Sequence, residues 1–324
     1  MRILVSGVAG FLGSNLLDRL LADGHSVIGI DDLSTGRKEN IAHHSGHPQF
    51  AFIEGDICNK NALAAVRGSV DRVVHLAARK IPRYGNRLAT LTVNLDGTRT
   101  VLEYARSSGI KTVLASTSDV YGRNPEVPFS EERSDLVLGS PKSARWAYAV
   151  SKAFDEHLGF AYQEEYGLPV TLLRFFGSYG PRHHLSWWGG PQPVFIDAIL
   201  KGEPVTIHGD GKQTRTFTYV DDTIEGICRS VMLDEANGEV FNIGGTEEVS
   251  ILELATVIWE LCATGKPLEI EFVPYQSFTG QRYDDVRRRV PDVEFAHQKL
   301  GFVATTPLLE GLKRTIAWQR DQTP

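Results

Sequence analysis

Short apolar runs alternate with stretches of helical periodicity through the first half of the chain. Residues 2–6 form an apolar run, and Leu16, Leu17, Leu20 and Leu21 then recur at helical spacing as far as Gly24. Further runs predict strands over 26–31, 49–53, 72–78, 111–115 and 171–176, with a helix over 94–107. A long helix is expected to begin near Ser140 or Ser143 and to stop at Gly167, a glycine cap followed by the breaker Pro169. This alternation indicates an α/β chain built on a doubly wound parallel sheet, in which ligands sit at the carboxyl ends of the strands. Asp56, Ala77, Ala78, Ser116 and Thr117 fall at such ends.

The texture changes after Phe176. Residues 177–193 are rich in glycine, proline, tryptophan and histidine, as expected of a segment inserted near a site. Beyond it the pattern predicts helices over 193–201, 221–233 and 250–262, and strands over 204–208, 215–220 and 240–243. No repeat or low-complexity linker separates two units. The expected division is therefore interleaved: one domain over 1–176 plus about 214–245, and a smaller α/β substrate domain over about 177–213 plus 246–324.

Composition narrows the function. A chain of 324 residues, 42% hydrophobic and 23% charged, has ordinary globular proportions, and a net charge of −6 argues against a nucleic-acid partner. Cys58, Cys228 and Cys262 lie far apart and read as free thiols of a reducing compartment. The chain opens on a strand with no room for a signal peptide, so the cytoplasm is expected. No apolar run approaches the roughly 18 residues of a membrane span. His43, His44, His47, His183 and His184 lie in expected loops without helix-spaced partners, and no metal site is anticipated.

Two features carry candidate chemistry. Gly7, Gly10 and Gly13 stand between the first strand and the first helix, where backbone N–H groups and the helix N-terminus suit a pyrophosphate. Asp31, ending the second strand, is placed to hold ribose hydroxyls and to favour NAD over NADP, although Arg37 and Lys38 nearby suit a phosphate. Tyr148 and Lys152 project from one helix face four residues apart. A nearby ammonium favours a phenolate, so the pair is expected to form a proton acceptor of lowered pKa.

In this order the motifs resemble the extended short-chain dehydrogenases/reductases that act on nucleotide sugars. The carriers are Gly7/Gly10/Gly13, Asp31, Asp56-Ile57, His75-Leu-Ala-Ala78, Asn94, Ser116-Thr-Ser-Asp119, Tyr148/Lys152, Arg174-Phe-Phe and the 209–222 and 242–245 motifs. The resemblance implies a Rossmann-type domain that binds NAD. Besides Gly7, Gly10, Gly13, Asp31 and Asp56, it assigns Phe11, Leu12, Asp32, Ser34, Gly36, Ile57, Leu76, Ala77, Ala78, Asn94, Ser116 and Phe175 to the dinucleotide, together with Tyr148 and Lys152. Tyr148 would take the proton of the sugar 4-hydroxyl while Thr117 bonds the same hydroxyl. Lys80, Ser118, Asp119, Gly177, Arg182, Trp188, Arg215, Arg282 and Arg289 are the remaining expected substrate contacts.

All relatives of this kind oxidise C4, and they differ in the fate of the resulting ketone. Glucuronate decarboxylases typically carry glutamate where this chain has Asp119, so a UDP-sugar 4-epimerase is the first expectation. A UDP-glucuronate decarboxylase is the alternative, and a 4,6-dehydratase ranks behind both. Residues 145–152 and 283–292 resemble the decarboxylase branch that makes a keto-pentose, and Gly177 replaces the asparagine of many relatives. A non-catalytic NAD-binding sensor would be expected to have lost Tyr148 or Lys152, and both are present. The family resemblance also implies a homodimer joined through the helices of Asn94 and Tyr148.

Overall fold

The computed structural model describes residues 1–322 apart from 67, 81–85, 276, 278–284 and the side chain of Trp188. Six strands, β1 (Arg2–Ser6), β2 (Ser26–Asp31), β3 (Phe50–Glu54), β4 (Arg72–His75), β5 (Lys111–Thr117) and β6 (Val170–Phe175), join a seventh at Val240–Ile243 in one sheet. Its order is Val240–Ile243, β6, β5, β4, β1, β2, β3, and every pairing is parallel. Sequence periodicity predicts this doubly wound sheet. Its strands are apolar runs because helices cover both faces, and β6 is buried at five consecutive positions. The helices α1 (Phe11–Ala22), α2 (Lys60–Ala64), α3 (Arg87–Arg106) and α4 (Trp146–Tyr166) flank it. None of the described helices is long and apolar enough to cross a membrane.

Several boundaries differ from those expected. Helix α3 starts seven residues before Asn94 because Asn86 caps it, its side chain accepting from the N–H groups of Leu88 (2.8 Å) and Ala89 (3.3 Å). Helix α4 begins at Trp146, after turns through Ser140–Ser143, and ends at Gly167 with φ +66° as its sequence predicts. The strand expected over 215–220 splits at Phe217. Thr214–Thr216 lies between Glu248–Ser250 and Arg288–Arg289, whereas Thr218–Tyr219 pairs with Ser178–Tyr179. The first of these ladders sets Arg289 directly opposite Arg215. Helices Glu294–Leu300 and Leu308–Gln322 close the chain beyond the predicted elements. The latter buries Leu308, Leu312 and Ile316 on one face.

Candidate active site

A cleft of about 700 Å³ opens at the carboxyl ends of β1, β2, β4, β5 and β6 and runs beneath residues of the 177–217 and 285–289 segments. It begins where the sheet order reverses between β1 and β4. There Gly7 adopts φ +75°, and a Cβ on it would lie 2.7 Å from the Ala77 nitrogen. A Cβ on Gly13 would fall 2.0 Å from the Gly7 carbonyl oxygen. These two positions admit only glycine, which brings bare backbone to the cleft wall at the N-terminus of α1.

Asp31 accepts hydrogen bonds from the backbone N–H groups of Ala9 and Leu33, each at 2.9 Å. Burial raises its pKa and these N–H donors oppose the rise. The acid therefore couples the glycine turn to the end of β2. A glycine turn backed by such an acid is the donor set that a pyrophosphate and a ribose diol require, and the residues present fit a dinucleotide. Arg37, which lines the cleft, lies 3.6 Å from Glu39, and Lys38 lies 3.8 Å from Glu54, both in exposed ion pairs.

Phe11, Leu12, Asp32, Ser34, Gly36, Asp56, Ile57, Leu76, Ala78, Ser116 and Phe175 also line the cleft. Asn94 does not. It is buried behind the wall, where its amide accepts from the Arg79 N–H at 2.7 Å and donates to the Ser151 hydroxyl at 2.8 Å. That arrangement pins the segment that follows β4, at Arg79, against α4.

Tyr148 and Lys152 enter the cleft from α4, facing Thr117 at the end of β5. The Lys152 ammonium is engaged differently from the expectation. It lies 3.1 Å from the Asp155 carboxylate, and both side chains are almost wholly buried. The Tyr148 phenol is accordingly not depressed. Burial raises its pKa well above the ordinary phenol value, the Asp119 and Asp155 carboxylates act in the same direction, and a hydrogen bond with Thr117 opposes them. The expected lowering is thus corrected: burial first, and then the Asp119 and Asp155 carboxylates, keep the phenol above its ordinary value.

Beyond Tyr148 the wall is charged. Arg289 reaches Asp119 at 2.5 Å, and Arg145 lies 3.6 Å from the same oxygen. Arg215 contacts Asp285 at 3.1 Å, and the Tyr275 hydroxyl donates to the other oxygen of Asp285 at 2.5 Å. Burial lowers the Arg215 pKa to about 10, with Asp285 opposing. Despite burial, Arg215 and Arg145 hold Asp285 down at about 2.

Ser118 and Lys80 also line this part of the cleft. Gly177 does too, at φ +56°, and a Cβ there would lie 2.3 Å from the Thr216 carbonyl oxygen. An asparagine would not fit this backbone path. Arg182 borders the cleft, but its guanidinium is directed to Asp18 of α1. Asp18 also receives His43 (2.8 Å) and His44 (2.7 Å), a grouping that the sequence does not disclose because the partners lie 25 residues and more apart. Arg282 and the side chain of Trp188 lie outside the described residues.

Sequence reasoning passes over Arg145, Asp155, Tyr275 and Asp285 as site residues. A signal exists for Asp155, which stands three helical positions beyond Lys152 and so shares its face. Arg145 and Asp285 lie within the 145–152 and 283–292 stretches that resemble the decarboxylase branch, whereas no signal exists for Tyr275.

Known proteins are similar to this one over nearly the whole chain. Residues 3–244 match the model of the NAD dependent epimerase/dehydratase family. The chain is 36% identical over 322 residues to a UDP-N-acetyl-alpha-D-glucosaminuronate decarboxylase of Bacillus cytotoxicus, covering 99% of this chain and 98% of that one. It is 38% identical over 324 residues to UDP-glucuronic acid decarboxylase 1 of Xenopus tropicalis, covering 99% and 72%. Among solved structures it resembles the UDP-glucuronic acid 4-epimerase of Bacillus cereus, crystallised with UDP-glucuronic acid and NAD. That likeness has 31% identity, a TM-score of 0.87, and covers 99% and 100% of the two chains.

Proposed function

The chain belongs to the NAD-dependent epimerase/dehydratase family, and from that premise we propose that it oxidises a nucleotide-linked uronic acid at C4 and decarboxylates it. NAD is its cofactor and, when bound, would supply the hydride acceptor for C4. The observation that carries the substrate class is the guanidinium group of Arg145, Arg215 and Arg289 beside Tyr148 and Thr117. Asp119 and Asp285 already offset two of these three charges, so the support for a uronate is geometric: Arg145 and Arg289 converge on one carboxylate oxygen, Asp119 Oδ1, beside Tyr148, where a sugar carboxylate would meet the same pair. The names of the relatives cited above, each a uronate enzyme, support the same class.

In this reading Tyr148 Oη takes the proton of the 4-hydroxyl, with Thr117 fixing the direction of that hydroxyl. The C6 carboxylate is then β to a ketone. When the C5–C6 bond breaks, CO₂ leaves and the electron pair moves onto O4, where Tyr148 and Thr117 are the available donors. C5 next takes up a proton, and the C4 carbonyl of the pentose either persists as product or is reduced. Arg289 and Arg145 orient the carboxylate before it departs.

Epimerisation of the same uronate at C4 is the second reading. It is favoured by Asp119, one methylene shorter than glutamate and held by Arg289 at 2.5 Å. Incubation with UDP-glucuronate, its 2-acetamido analogue and UDP-glucose, with products read by NMR and CO₂ trapped, separates these outcomes. Release of CO₂ with formation of a UDP-pentose is expected. A C4 epimer of the uronate without CO₂ establishes the second reading, and turnover restricted to UDP-glucose sinks both. The Tyr148→Phe enzyme should lose at least about a hundredfold in turnover while still binding NAD. Homodimerisation belongs to the same proposal: Leu88 on α3 and Val150 and Phe154 on α4 are exposed apolar side chains, and light scattering reads the mass directly.

A further inference from the structure

Tyr148, Lys152 and Asp155 occupy positions i, i+4 and i+7 of α4, so all three project from one face. From this arrangement we infer that Asp155 is a positioning residue: its carboxylate holds the Lys152 ammonium, aims its remaining donors into the cleft, and offsets its charge at Tyr148. The inference rests on the assignment of Tyr148 as the proton acceptor.

The contact is well defined. Lys152 Nζ lies 3.1 Å from Asp155 Oδ2, and the two side chains are 2% and 3% exposed. At that burial neither solvent nor salt screens the pair. An ammonium has three N–H donors. One is spent on Asp155, and two remain for a vicinal diol such as that of a nicotinamide ribose. A lysine without this tether has four rotatable bonds to settle before it can address the cofactor.

Asp155 also removes much of the field expected of Lys152. Burial raises the Tyr148 pKa most, Asp119 adds to it, and the Asp155 carboxylate acts in the same direction. The charged and titratable groups around the pair leave Asp155 as its counter-ion. His75 of β4 faces Lys152 but is neutral, since burial and then Lys152 lower its pKa to about 3. Glu156, next along α4, is committed to Arg174 of β6 at 2.7 Å and to the Ser116 hydroxyl of β5 at 2.5 Å. Asp119 lies on the turn after β5, engaged by Arg289. Thr98 of α3 is uncharged and adjoins Asp155.

The test uses the full chain loaded with NAD. Phenolate formation by Tyr148 is read as the ultraviolet difference spectrum against Tyr148→Phe across a pH series, and the pH profile of kcat and the affinity for NAD are recorded beside it. Asp155→Asn, nearly isosteric and neutral, should move the Tyr148 titration and the acid limb of kcat down by about half to one pH unit, since an effective dielectric of ~20 leaves an interaction of that order over two helical turns. Asp155→Ser should do the same and serves if the asparagine variant does not fold. Asp155→Glu, which keeps the charge, should titrate close to the wild type. A titration unmoved in Asp155→Asn and Asp155→Ser overturns the inference, as does an equal shift in Asp155→Glu. If Tyr148→Phe retains full turnover, the assignment of the base fails instead, which is a separate result.

Discussion

Glu156 offers the most quantitative test of how the site is held. Its carboxylate receives Arg174 through two hydrogen bonds, Nε to Oε1 at 2.9 Å and Nη2 to Oε2 at 2.7 Å, and accepts the Ser116 hydroxyl at 2.5 Å. Arg174 in turn donates to the Tyr121 hydroxyl at 2.9 Å, and that hydroxyl donates to Asn242 at 2.8 Å. The Arg174 and Glu156 side chains are 7% and 6% exposed. One buried network therefore fixes α4, which carries Tyr148 and Lys152, to β5 and β6. Glu156→Ala leaves a buried guanidinium without its counter-ion, a change that costs roughly 3–5 kcal/mol. Out of a total stability of about 5–15 kcal/mol, that is a large share. Glu156→Gln keeps the shape and one acceptor and should cost about 2–3 kcal/mol, the value of a charge-assisted bond. The double variant Glu156→Leu/Arg174→Met removes both charges and should be more stable than Glu156→Ala, because an apolar pair of similar volume replaces a buried ion pair at little cost. Urea denaturation with the m-value compared between variants is the assay. A loss below about 1 kcal/mol in Glu156→Ala at unchanged m would refute the reasoning, as would a double variant weaker than the single one.

Gly13→Ala places a methyl group 2.0 Å from the Gly7 carbonyl oxygen and 2.7 Å from the Val8 Cα, both backbone atoms of the cofactor turn. Its affinity for NAD should fall at least about a hundredfold, near 3 kcal/mol, and calorimetric titration showing a change under threefold would contradict the glycine argument. Asp285, held at about 2 against an ordinary 3.8, contributes stability that is complete above pH 4 and is lost as pH falls through about 2. Between pH 4 and 2 the wild type should thus lose about 2 kcal/mol more than Asp285→Asn, and parallel losses in urea melts of the two would exclude the assigned ion pairs.

The sheet and the dinucleotide side of the cleft are legible in the sequence because their signals are local. The apolar runs β1 to β6, the glycines before α1 and the acid ending β2 each lie within one strand–turn–helix unit, and backbone geometry dictates their spacing. Pattern becomes less informative where a polar cap or a short ladder decides the element. Asn86 extends α3 beyond its periodic stretch, and the break at Phe217 arises from pairing with two different partners. The motif around Asn94 points to the cofactor, yet this residue spends its amide on Arg79 and Ser151.

The substrate side is written in contacts that no local pattern encodes. Arg289 meets Asp119 across 170 residues, and Arg215 meets Asp285 across 70. Asp119 in isolation is a carboxylate one methylene short of glutamate, which favours an epimerase. Within the folded chain it is one of two acids set among three guanidiniums, and its charge belongs to that group as much as to any proton transfer. Under the proposed function, the chemistry after C4 oxidation turns on how a substrate carboxylate shares Arg289 and Arg145 with Asp119. A uronate that displaces Asp119 from Arg289 frees an acid within reach of the sugar. One that binds alongside leaves Asp119 a spectator, and the ketone is then simply reduced on its other face. Under the same proposal, the branch between decarboxylation and epimerisation is a competition between two carboxylates for Arg289.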